Sequence, residues 1–96
     1  MKSQVILAFA AFASLGLAAV PQSASAGEYA AMDCNELWVA RNQIYKDNGY
    51  CFKTARAIDY FGNGGCSHHS TAALPLSGGD RTTLRRIRES WRGQHC

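Results

Sequence analysis

No run of alternating β-branched residues bounded by turns occurs in this chain, so strands are not expected. No segment repeats, and no stretch beyond the apolar start is of low complexity. The chain also lacks a paired-carboxylate motif, a nucleophile elbow and a phosphate loop. Gly62-Asn63-Gly64-Gly65 leads into a cysteine-containing loop and not into a helix bearing Lys. Acid–base, nucleophilic and nucleotide chemistry therefore have no recognisable motif here. Charge of one sign is scarce too. The formal net charge is +3, and +2 once Lys2 is left out. That balance is weakly basic and does not by itself imply nucleic acid.

What is present begins with an export signal. Lys2 is a charged start, Val5–Val20 is an apolar run, and Ala24-Ser25-Ala26 is a small-residue cleavage site. Residues 1–26 are expected to be a cleaved signal peptide, with Gly27 opening the mature chain. The apolar run is shorter than the roughly 20 residues that span a bilayer, which disfavours a membrane anchor. No Cys follows it at the cleavage point, so a lipid anchor is not indicated. The expected location is the periplasm or the exterior, with no membrane span after cleavage.

About 70 residues then remain, enough for one domain that is marginal on packing alone. Such scaffolds usually carry staples. Cys34, Cys51, Cys66 and Cys96 all follow the apolar start. An even cysteine count in a small exported chain reads as disulfides, here two.

The pattern is all-α: a small three-helix domain over 33–96, behind a flexible lead-in over 27–32. Asp33 with Glu36 forms a capping box for a helix from Cys34 to Asp47. Leu37, Ala40 and Ile44 share its apolar face, with Trp38 and Tyr45 at the border. Val39, Asn42, Gln43 and Lys46 are expected to point mostly away. Asn48-Gly49 supplies the left-handed stop. Thr54 caps a short helix, Ala55–Phe61, whose expected inner face is Ala55, Ile58 and Phe61. Gly62 ends it, and a tight Asn63-Gly64-Gly65 turn delivers Cys66. Residues 67–75 read as loop. Ser77 with Asp80 caps a third helix with the stripe Leu84, Ile87 and Trp91, stopped by Gly93.

These residues resemble the YARHG domain, a small domain of exported bacterial proteins. The resemblance rests on Leu37-Trp38, Arg41-Asn42, Ile44-Tyr45, Gly49-Tyr50 and Phe52, with Phe61 as the downstream aromatic. The five-residue motif of the name aligns with Tyr45-Lys46-Asp47-Asn48-Gly49, where only Tyr45 and Gly49 match. Roles attached to the motif's Arg and His therefore do not carry over. The resemblance implies a structural motif built on Arg41, Asn42, Tyr45, Gly49 and Phe52, acting outside the cytoplasm. It implies no catalytic residue.

Four constellations carry chemistry and each has a plainer reading. Cys66, His68 and His69 hold metal-ligand types, but their spacing is not that of a closed zinc site and a disulfide removes the thiolate. No metal or other cofactor is expected. His68 and His69 lie beside Ser67, Ser70 and Thr71 without the geometry of a nucleophile motif. Arg81, Arg85, Arg88 and Arg92 fall in one sector of the last helix, about 90–100° from its apolar stripe. Arg forks suit carboxylates and phosphates, and the plainer reading is a solvated face. Nucleic acid is disfavoured because interleaved aromatics are missing. Arg41 lies on a core stripe, where a charge needs partners. Its expected role is structural, satisfying loop carbonyls or pairing with Asp59; the rival is an anion-binding residue displayed among Trp38, Tyr45 and Tyr50.

Helix placement also bears on the cysteines. Cys51 follows the stop of the first helix and Cys66 that of the second, so a helical hairpin brings them together. Cys34 opens the first helix and Cys96 trails the last. The expected pairs are Cys51–Cys66 and Cys34–Cys96. The chain thus reads as a non-enzymatic envelope module that binds another envelope component, a protein or a cell-wall polymer. The alternative is a small hydrolase, or an inhibitor of one, using His68-His69.

Overall fold

The computed structural model describes residues 26–96, and the expected signal segment before Ala26 lies outside them. Four helices follow in order: α1 Ala26–Ala30, α2 Cys34–Asp47, α3 Ala55–Phe61 and α4 Gly78–Gly93. A 3₁₀ turn, Thr71–Ala73, interrupts the long loop before α4. No strand occurs among the described residues; Tyr50 and His68 form one isolated parallel bridge.

The helix starts follow the capping chemistry of the sequence. The Asp33 carboxylate accepts from the Glu36 N–H at 2.8 Å, and Glu36 accepts from the Asp33 N–H at 2.9 Å. Ser77 and Asp80 form the same reciprocal box on α4. The Thr54 hydroxyl accepts from the Ala57 N–H. Each cap satisfies backbone donors that helical bonding leaves open.

The helix ends divide. At α2 the Gly49 N–H donates to Lys46 and the Tyr50 N–H to Tyr45, a Schellman motif with Gly49 at φ +86°. At α4 the same two bonds run from His95 to Arg92 and from Cys96 to Trp91. The left-handed residue there is His95, at φ +58°, and not a glycine. Gly93 is the last helical residue and does not itself stop α4, contrary to the expected stop. The left-handed stop falls two residues later, at His95, beside the disulfide-held Cys96.

Two disulfides close the domain: Cys34 joins Cys96 across 62 residues, and Cys51 joins Cys66 across 15. These are the pairs that helix placement favours. The first ties the start of α2 to the end of α4. Gln94 Nε2 adds a bond to the Met32 carbonyl at 2.6 Å. At the other end, Asn48 Nδ2 donates to the Ile44 carbonyl and to Asp80 on α4. Helices α2 and α4 therefore lie antiparallel and are clipped together at both ends.

The core has two clusters. Tyr29, Leu37 and Ile87 form one, with Met32, Ala40, Ile44 and Trp91 packed on it. Trp38, Phe52 and Ala57 form the other, with Val39, Tyr45, Tyr50, Phe61 and Trp91. Trp91 touches both. Helix α2 is thus apolar on two sides, which is why a single stripe describes it badly.

Three expectations are corrected by this packing. The lead-in is not loose over its whole length: α1 occupies part of it and buries Tyr29. Asn42 does not face away but is 7% exposed, its Nδ2 bonded to the Trp38 carbonyl at 2.9 Å. On α3 the inner residues are Ala57 and Phe61, at spacing four, while Ala55 is exposed and Ile58 is 40% exposed. The aromatic set around Trp38 selects that face, because Phe61 stacks on Phe52 with centroids 5.1 Å apart.

Replacing both Cys34 and Cys96 by Ser is expected to lower unfolding free energy by about 4 kcal/mol, read from denaturant titration. His95→Gly should raise it by up to about 1 kcal/mol, since a non-glycine residue is costly in the left-handed region.

Candidate functional site: the cleft between α2 and α4

Between its two clips the α2–α4 seam opens into a cleft of about 120 Å³, lined by Arg41, Tyr45, Leu84, Ile87, Arg88 and Trp91. Arg41 and Tyr45 sit one turn apart on α2. Leu84, Ile87, Arg88 and Trp91 recur at helical spacing on α4. The floor is apolar and the charged lining residues are two arginines, with no carboxylate among them.

Arg41 does not meet the partners expected of it. No hydrogen bond joins it to Asp59 or to a loop carbonyl among the described residues, and its Nε is buried with no partner. What holds it is Trp91: Arg41 Cζ stands over the indole, 4.9 Å from the ring centroid. A cation over an aromatic face contributes about 0.5–2 kcal/mol, depending on desolvation. That contact uses the π-face of the ring and leaves the N–H edge of the guanidinium unspent.

A second arginine–tryptophan pair on the molecule makes the contrast. Arg56 Cζ lies 3.7 Å from the Trp38 ring centroid, and its terminal nitrogen donates to Asn35 Oδ1 at 2.6 Å. Arg56 is thus both stacked and hydrogen-bonded. Arg41 stands over its ring with its Nε unpartnered among the described residues, and it lines the cleft that Arg88 also lines.

The four arginines expected as one basic row are all exposed, but they do not act together at the cleft. Arg88 alone lines it; Arg81, Arg85 and Arg92 stay on the outer surface of α4. Arg86, half-buried, lines a different depression with Glu89 and Gln94. Of the motif residues, Arg41 and Tyr45 line the cleft, while Asn42 and Phe52 are buried and Gly49 makes the helix stop. The packing of Tyr45 and Leu84 beside Arg41 and Arg88 was not readable from spacing, because it joins residues some forty positions apart.

The histidine loop is bound up in backbone structure. The Cys51 N–H donates to the His68 carbonyl at 2.8 Å, and the Ser67 and His68 N–H groups donate to the Gly49 carbonyl. Gly49 lies against this loop, where a Cβ would meet the His68 ring and the Ser67 hydroxyl at 3.4 Å. No hydrogen bond joins either imidazole to a carboxylate or hydroxyl among the described residues. No group of three or more His, Cys, Asp and Glu there is placed to hold a metal ion.

The comparison with known families decides what this fold is. The model of the YARHG domain matches residues 15–90, most of the chain. The chain belongs to the YARHG domain family. The match encloses the whole α2 motif and runs through α4 as far as Ser90, so every residue lining the cleft except Trp91 lies within it. No curated protein and no solved structure matches the chain. The YARHG domain is a small extracellular domain, and the two disulfides fit export. No helix among the described residues is long and apolar enough to cross a membrane.

Arg41→Ala should lower stability by about 1–2 kcal/mol, through loss of the contact with Trp91 and of its covering stem. Thermal or denaturant unfolding checks this. Tryptophan fluorescence of the folded variant should change as well, because the ring over which the cation sits is half-buried Trp91.

Proposed function

We propose that this YARHG domain is an exported, non-catalytic binding module whose partner is an acidic component of the cell envelope, a protein or a cell-wall polymer. The observation that carries the reading is the Arg41–Arg88 cleft: two arginines line it, no carboxylate does, and the buried Arg41 Nε has no hydrogen-bond partner among the described residues. The exposed Arg81, Arg85 and Arg92 on the same helix extend the positive field around it. A rigid, doubly stapled scaffold suits recognition, because little ordering entropy remains to be lost on binding.

Binding of the oxidised protein to isolated cell-wall material and to envelope protein extract should fall as salt rises. Arg85/Arg88/Arg92→Ala should weaken it further, and His68/His69→Ala should leave it unchanged. Salt-insensitive binding that survives the arginine substitutions would contradict the reading. Loss of binding in the histidine variant, with a hydrolytic activity lost alongside it, would favour the hydrolase alternative.

A further inference from the structure

We infer that the α2–α4 cleft is a carboxylate site for the end of a peptide chain whose last residue is small and apolar. This deepens the proposed function and rests on it. A guanidinium presents its N–H groups in a planar fork that matches a carboxylate in two parallel bonds. Arg41 Nε has no hydrogen-bond partner among the described residues, and its guanidinium is held over Trp91, 4.9 Å from Cζ to the ring centroid. The rotamer entropy that binding would otherwise consume is already spent in folding. Arg88 supplies a second fork from the facing helix, and Tyr45 borders the same space.

The floor and the size narrow the ligand. Leu84, Ile87 and Trp91 offer no hydrogen-bonding groups along the floor apart from the indole N–H. Hydroxyls pressed against them would lose water without compensation. A cleft of about 120 Å³ is slightly smaller than the engineered cavity of roughly 150 Å³ that takes benzene. It accommodates a carboxylate and a few carbons but not a sugar ring with its hydroxyls. A chain-terminal carboxylate on a residue such as alanine, with its methyl group against the apolar floor, fits these limits. Two sources share that chemistry: the stem peptides of a wall polymer and the tail of an envelope protein.

Titration of the oxidised full-length protein with N-acetyl-alanine, in each hand, tests this, followed by NMR of the Trp91 indole and Tyr45 ring signals. Saturable shifts of both are expected. N-acetylalaninamide, the same body without charge, should bind about tenfold more weakly or worse. Arg88→Gln, an exposed change, should cost about tenfold with unfolding unaltered, and Arg41→Gln, which also gives up the contact with Trp91, should cost about as much affinity when measured on the folded variant. Arg56→Gln, at the stack already partnered by Asn35, should change nothing. Tighter binding of the D form points to wall peptide, and of the L form to a protein tail. Equal binding of the amide, equal binding of inorganic phosphate, or full affinity in Arg88→Gln overturns the inference. If envelope material still binds in a salt-dependent way while Arg41→Gln and Arg88→Gln leave that binding intact, the cleft assignment fails and the broader binding function stands. If envelope material does not bind at all, the broader function fails.

Discussion

The structure depends on one side chain that belongs to two cores. Trp91 packs on the Tyr29–Leu37–Ile87 cluster and on the Trp38–Phe52–Ala57 cluster, and it carries Arg41 on its face. A chain this small cannot build a deep core, and each cluster alone holds only three buried side chains. Joined through Trp91 they enclose α2 on two sides. The Trp91 carbonyl also accepts the Cys96 N–H, so the residue that links the cores also terminates α4 at the Cys34–Cys96 bridge. Packing, helix ending and covalent closure meet at one position.

The same arrangement produces the cleft. Helices clipped at both ends but separated in the middle by a large indole leave a gap beside it. A guanidinium placed on that indole is held without consuming its donors. Ordinarily a charge on a core stripe is neutralised by an acid or by carbonyls. Here the aromatic face supplies part of that compensation, and solvent or a ligand supplies the remainder. The Arg56–Trp38 pair shows that the fold can satisfy such a stack internally when Asn35 stands nearby. At Arg41 no such partner is found for the buried Nε among the described residues.

Local chemistry was legible in the sequence and long-range packing was less so. The capping boxes at Asp33 and Ser77, the Thr54 cap and the Gly49 stop all depend on residues within a few positions, and each is present. The cysteine pairing followed from where helices end. Periodicity read Ala55, Ile58 and Phe61 as the inner face of α3, yet the stacking of Phe61 on Phe52 rotates Ala57 inward instead. Asn42 looked polar and outward, but a helix packed on two sides has little outward face left, and the side chain bonds the Trp38 carbonyl one turn back. Arg41 stood out because it broke the apolar stripe. Its meeting with Arg88 did not, since nothing in either helix alone reports which row of the other it faces.

Native-state amide hydrogen exchange on the oxidised protein tests the central claim most directly, namely that Trp91 makes one cooperative unit of two small cores. The account predicts that the slowest amides of α2, α3 and α4, around Leu37, Phe61 and Ile87, open with the same free energy, that of global unfolding. Opening of α3 and the Cys51–Cys66 loop at a distinctly lower free energy, while α2 and α4 stay protected, would contradict it.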